Sequence, residues 1–437
     1  MRTALTPARA AWLLAAGLLT APPARADQAP APAARCVSPT ASLLHRPAPD
    51  KPWQVVKEGE ALAPGDLILG AADAALESAD GAVRLEFVGD LSGTSPFPVL
   101  ETAVVLNPPD GANLSVTLDR GRIDLTNRKA SGPARARVRV GGLDRSAEFE
   151  LTDPGSRVAV EVYGRWPAGT RFSKEPKPGD RPALAIAVLA LKGSVKITGS
   201  KGEVTLSAPP GPALIQGDDL ADLDPTPRHL PALPEWATGA DTETGRKKRA
   251  VLAHFRQLVA AGSVEAATEE LLKSDDPAER RLAVLFLGAT DNLAKLGDVL
   301  AHAKHPDVWD VGVLALRHWI GRGPGQDQKL YHGLIEKAGY TPAQAASVVN
   351  LLHSFGESDL ARPTTYETLI DFLRSDKLAL RGLAYWHLSR LVPAGRSIGY
   401  NPLAPKDERD RAAAEWRKLI PEGQLPPRAA PPRPDTR

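Results

Sequence analysis

A proline-rich stretch in the middle of the chain, Leu220 to Arg249, constrains its folding more than any other feature. The residues before it alternate as strands do, and the residues after it repeat as helices do. Pro225, Pro227, Pro231 and Pro234 hold the backbone extended, and Thr238-Gly239-Ala240-Asp241 loosens it before a helical pattern begins at Lys248. The stretch reads as a linker, residues 220–247, between two unlike domains. Few apolar residues between Asp218 and Leu230 are available to stitch the halves together, so independent folding is expected.

A chain of 437 residues with 43% hydrophobic content can build an ordinary core in each of two or three domains. Its 54 Lys and Arg against 52 Asp and Glu leave a net charge of +2, so no whole-chain field selects nucleic acid or an anionic membrane. The first residues have a secretory layout. Arg2 and Arg9 supply positive charge, Ala10 to Ala21 is apolar, and Ala24-Arg25-Ala26 offers small residues for cleavage. Residues 1–26 are therefore expected to be a signal peptide, leaving a periplasmic or secreted chain with no transmembrane segment, since the apolar run falls short of the roughly 20 residues that span a bilayer. Residues 27–52, rich in Ala and Pro, read as a disordered leader carrying Cys36, the one cysteine of the chain, so an intramolecular disulfide is excluded.

Residues 53–219 alternate apolar and polar side chains in short runs: Val83 to Phe87, Leu114 to Leu118, Arg122 to Thr126, Arg135 to Val140 and Glu148 to Leu151. Each run can bury one face and wet the other. Ala79-Asp80-Gly81-Ala82 and Asp119-Arg120-Gly121 read as tight turns between them. Val158 to Tyr163, Ser194 to Thr198 and Glu203 to Leu206 extend the pattern, and the continuous apolar run Leu184 to Leu191 predicts a strand buried on both faces. An all-β, turn-rich domain follows.

Glu58-Gly59-Glu60-Ala61-Leu62-Ala63-Pro64-Gly65-Asp66, followed by Leu67-Ile68, resembles the opening turn and strand of FecR-type domains. Leu118 to Ile123 is similar to that family's strand entry, Val188 to Ile197 to its closing strand, and Gly211 to Gly217 to its terminal turn. Gly169-Thr170-Arg171-Phe172 loosely matches the family's central motif. The resemblance implies an extracytoplasmic β domain that binds or relays a signal. It does not imply sigma-factor control, because the sequence carries no cytoplasmic segment or membrane-crossing helix ahead of the domain.

From residue 248 to 422 the period is helical. Pro277 and Pro306 open similar segments, Glu279 to Leu287 and Val308 to Leu316, and Leu380 to Leu388 is a third copy. The spacing resembles HEAT-type helical repeats, whose units bury their apolar faces by stacking. Thr341, Pro342 and Gln344 predict a capped helix start, Gly339 closes the helix before it, and a last helix from about Pro405 to Ile420 carries Trp416, Leu419 and Ile420 on one face. Residues 423–437, rich in Pro and Arg, are expected to be disordered. The fold class is thus multidomain: an all-β FecR-like domain, then an all-α HEAT-like repeat domain.

No nucleophile elbow, metalloprotease helix or Cys-His pairing occurs, so no catalytic residue is assigned and no enzyme activity is expected. No metal or cofactor is expected either. His302 and His305 with Asp307 and Asp310 fall short of a zinc signature, Gly321-Arg322-Gly323-Pro324-Gly325 reads as a helix connector, and Arg246-Lys247-Lys248-Arg249 as an exposed helix entry. Trp309, Trp319 and Trp386 sit at core spacing. Arg280, Asp310 and Arg381 fall at or beside matching positions of the three copies. Their charge argues against burial unless paired, so they read as an outward-facing, protein-binding surface or as solvated ends that balance neighbouring charges. The expected function is an exported, non-enzymatic binding or scaffold protein whose partner is an envelope protein or cell-wall component. An envelope signalling regulator and a glycan-acting hydrolase are the alternatives.

Overall fold

A computed structural model describes residues 31–420 and Pro426, apart from 92–100, 142–145, 178, 200–201, 209–211, 218–225, 239–241 and 302–304. The expected signal peptide and the Pro/Arg-rich tail, Pro426 apart, lie outside the described residues.

The N-terminal region is β-rich, as its alternation predicts. Its strands are β1 (Ala34–Cys36), β2 (Leu43–Arg46), β3 (Gln54–Val55), β4 (Ala61–Leu62), β5 (Leu67–Gly70), β6 (Ala74–Ser78), β7 (Val83–Val88), β8 (Thr102–Leu106), β9 (Leu114–Asn127), β10 (Ala134–Val140), β11 (Ser146–Leu151), β12 (Arg157–Arg165), β13 (Ala183–Gly199), β14 (Gly202–Ala208) and β15 (Ala213–Gly217), with β16 (Arg228–His229) after them. One sheet runs β4-β1-β6-β7-β9-β12-β13-β15-β16. The other runs β3-β2-β5-β8-β9-β10-β11-β13-β14. The long strands β9 and β13 belong to both sheets, so β9, β12, β13, β11 and β10 pair in a closed cycle around a core that includes Leu85, Phe87, Val116, Ile123, Phe149, Val160 and Val188. Shared strands of this kind turn the corners of orthogonally packed sheets.

Both corners fall on glycine. Asp119-Arg120-Gly121, expected as a turn between two strands, is instead a bend within the continuous β9. Gly121 has φ of +91°, and a Cβ there would lie 2.5 Å from the Glu101 carbonyl oxygen. The leader also differs from expectation. From Ala33 onward it contributes buried core residues, β1 pairs with β4 and β6, β2 pairs with β3 and β5, and Cys36 is buried rather than carried on a loose segment.

The C-terminal region is helical: α1 (Glu235–Thr238), α2 (Glu243–Ala261), α3 (Val264–Leu272), α4 (Pro277–Ala289), α5 (Leu293–Ala301), α6 (Pro306–Gly321), α7 (Gln326–Glu336), α8 (Pro342–His353), α9 (Glu357–Leu360), α10 (Pro363–Phe372), α11 (Leu378–Leu391) and α12 (Lys406–Lys418). The three similar sequence segments are α4, α6 and α11. α8 opens on the Thr341/Gln344 capping box, and Trp416 is fully buried on α12. No helix among the described residues is long and apolar enough to cross a membrane.

The two regions share core residues as well as the linker between them. Leu44, Trp53, Leu69 and Ala103 of the β region share one core with Phe255, Val259, Phe286 and Ala289 of α2 and α4, and the Trp53 indole donates to the Thr290 carbonyl at 3.2 Å. A hook between β12 and β13 carries Trp166 into the helical core, where its indole donates to the Ile320 carbonyl at 3.1 Å and stacks on His353. Farther along the hook, the Phe172 N–H donates to Asn350 at 2.8 Å and the Phe172 ring packs on Tyr331. The proline-rich stretch itself lies against the β region: β16 pairs with β15, and Leu230, Trp236 and Ala237 cover Ala159, Leu189 and Leu191. The residues that join the halves were thus hidden in strands and loops on either side, not in the linker.

Candidate functional site

Arg280 and Arg381, expected on an outward surface, are buried. Arg280 donates to the Ser274 carbonyl at 2.8 Å and to Asp307 at 3.1 Å, and Arg381 donates to the carbonyls of Ser375 at 2.7 Å and Pro402 at 2.9 Å. Each guanidinium ties the loop before its helix to the helix, which is why a charge can lie inside. Asp310 is exposed on α6 and faces Arg390 of α11 at 3.3 Å. The three share no partner and form no common surface.

The other sequence candidates also resolve into structure. His302 lies outside the described residues, His305 precedes α6, and Asp307 serves Arg280. No His, Cys, Asp and Glu grouping among the described residues is arranged to hold a metal ion. In the basic run at the start of α2, Lys248 donates to the Asp90 carbonyl and Arg249 pairs with Asp73, so both bind the β region.

A cluster of charged side chains is buried between the regions. Glu101, before β8, accepts from Arg120 of β9 at 2.8 Å and from Arg322, after α6, at 2.6 Å, and lies 3.5 Å from His318. Arg120 also donates to the Ala289 carbonyl, and Arg322 to Asp291 and the Gly288 carbonyl. Burial alone raises a carboxylate's pKa, but His318, Arg322 and Arg120 more than reverse this and hold Glu101 down at about 2. Burial lowers His318 to about 4 despite the attraction of Glu101, so the imidazole is neutral at pH 7 and the two arginines carry the interaction there. These side chains are almost wholly enclosed, Glu101 6% and His318 3% exposed. Their chemistry is to lock two regions together rather than to meet a substrate.

An open groove of about 350 Å³ lies on the helical region between α8 and α10, reached by Arg171 from the hook. Ser347 and Asn350 of α8, Thr364, Thr365 and Thr368 of α10, and Arg171 and Arg362 supply its polar groups; Leu351, Phe355, Leu369 and Phe372 supply its apolar walls. α10 begins at Pro363 because proline suits a first helical position, and this sets three threonines along one side of its first turns. Both arginines are more than half exposed and share one carboxylate, Asp359 of α9: Arg171 donates to it at 2.6 Å, and Arg362 also bonds it. Burial raises the Asp359 pKa, but the Gly356 N–H and the two guanidiniums outweigh it and hold the carboxyl below its ordinary range. Two cations against one anion leave the groove with an uncompensated positive charge.

The groove brings together residues far apart in the chain. Arg171 and Arg362 are 362 − 171 = 191 positions apart. The one local sign was Gly169-Thr170-Arg171-Phe172, a motif noted for its loose likeness to the central motif of FecR-type domains, and the structure carries it across to α8 and α9. No protein-family model, curated protein or solved structure matches this chain.

Proposed function

We propose that this chain is an exported, non-enzymatic binding or scaffold protein of the cell envelope, with a FecR-like β region for envelope recognition and a HEAT-like helical array for protein contact. The observation that carries the reading is the groove between α8 and α10. It is open, mixed polar and apolar, and positively charged, and Arg171 of the β region completes it. Surfaces of this composition suit a protein partner, since apolar walls supply contact area and arginines supply orientation. The shared cores support a scaffold role, because they hold the two surfaces in a fixed relation.

The test is site-specific photo-crosslinking in intact cells of the native host, with the crosslinker at Thr368 in the groove or at Thr205 on β14. A defined partner captured from Thr368 supports the reading. Recovery of only a transporter or a sensor points instead to envelope signalling. Sequencing the N-terminus of the native protein tests export, for which a start at Asp27 is expected and a start at Met1 in the cytosol overturns the compartment.

A further inference from the structure

We infer that the groove between α8 and α10 takes an acidic peptide segment, with a carboxylate bound by Arg171 and Arg362 and an apolar side chain against Leu351, Phe355 and Phe372. The inference rests on the protein-binding reading above and names its chemistry. Asp359 neutralises one of the two guanidiniums and is itself buried, so a second carboxylate is what completes the charge balance. Each arginine is more than half exposed, 59% for Arg171 and 56% for Arg362, so each keeps N–H donors for an incoming anion. A basic segment meets repulsion at the same place. The apolar walls distinguish the ligand from a bare anion, because they offer nothing to a phosphate or sulfate but bury an aromatic or aliphatic side chain. The volume of about 350 Å³ lies at the lower end of the roughly 300–1,000 Å³ of small-ligand pockets, which suits two or three side chains of a peptide rather than a folded domain.

The experiment uses the full chain and fluorescent hexapeptide pools in which Asp or Glu flanks Phe or Leu, read by anisotropy. Control pools carry Asn or Gln, or Lys, at the acidic positions, and inorganic phosphate and an uncharged oligosaccharide are tested as competitors. Binding of the acidic pools at least tenfold above the neutral pools is expected, weakening with added salt. Thr368→Trp fills the groove without touching the ion pairs and should abolish binding at unchanged Tm; the double variant R171Q/R362Q should remove the preference for acid. Equal binding of neutral or basic pools overturns the inference, as does full competition by phosphate or the oligosaccharide, or binding that survives Thr368→Trp. Absence of binding by every pool also overturns it. Crosslinking from Thr368 in cells would then still decide the broader reading separately.

Discussion

Arg280 and Arg381 occupy the same structural position 381 − 280 = 101 residues apart: each donates Nη1 to the carbonyl of a serine six residues upstream, Ser274 at 2.8 Å and Ser375 at 2.7 Å. The surrounding sequences, Ser274-Asp275-Asp276-Pro277-Ala278-Glu279-Arg280 and Ser375-Asp376-Lys377-Leu378-Ala379-Leu380-Arg381, keep the serine, an aspartate, an alanine and the arginine in register. The repetition in sequence corresponds to a repeated contact at the two helix starts. Both arginines lie inside rather than outward, because a guanidinium with carbonyl acceptors can be buried at helix starts.

Arg280→Ala and Arg381→Ala are therefore expected to destabilise the protein by roughly 1.5–3 kcal/mol each, the range for lost hydrogen bonds to a charged group. Asp310→Ala, on an exposed pair, should change stability by no more than about 1 kcal/mol. Urea unfolding of the three variants checks the order, and similar small effects for all three would remove the structural role.

Gly164 of β12 and Gly321 at the end of α6 meet backbone to backbone. A Cβ on Gly164 would lie 2.1 Å from the Gly321 carbonyl oxygen, and one on Gly321 2.3 Å from that of Gly164. Either Gly→Ala change should cost about 1–3 kcal/mol, the usual cost of overpacking, because main chain cannot yield as a side chain can. Thermal unfolding of both variants is the measurement, and an unchanged Tm would show that the two regions can part there freely.

Trp166 of the hook is buried in the same core as Val348, Leu352 and Ile370. Trp166→Ala should cost roughly 3–5 kcal/mol. Because the cores are shared, near-ultraviolet and far-ultraviolet signals should lose stability together in one transition. Two separated transitions in the wild-type chain would restore the picture of independent halves.

His318 gives a pH dependence of definite sign. Its folded pKa of about 4 lies below the 6.5 of the unfolded chain, so the unfolded state binds the proton first. The stability linked to neutral His318 is complete above pH 6.5 and is lost as pH falls toward 4, by an amount on the order of 2–3 kcal/mol. Glu101, depressed from 4.5 to about 2, adds a further loss between those values as its carboxylate is protonated. Asp124, raised by burial from 3.8 to about 6, acts in the opposite direction within its own window. The readout is thus the difference between wild type and His318→Phe in urea midpoints from pH 7 to 4, where the variant should show the shallower loss. Parallel curves would overturn the assignment.

Alternation and helical period placed the β-rich region, the helical region, the Thr341 cap and the three similar helices, because each depends on side chains a few residues apart. The Asp119-Arg120-Gly121 bend was visible as a break in pattern, but a glycine that ends a strand and one that carries it round a corner look alike until the partner strands are in place. Leu44 falls in a stretch that reads as a disordered leader, and only the approach of Phe255 and Phe286 makes it, Trp53 and Leu69 core. Arg120, Glu101 and Arg322 likewise gain their meaning from contacts spanning 221 positions. The sequence by itself determined the β-rich and helical character of the two regions and the Thr341 cap of α8, through local hydrogen bonding and periodicity, but not β1 and β2 in the leader nor the start of α2 at Glu243. Tertiary structure alone decided that the halves share cores and that the groove exists, since burial and charge pairing depend on what lies across the contact rather than along the chain.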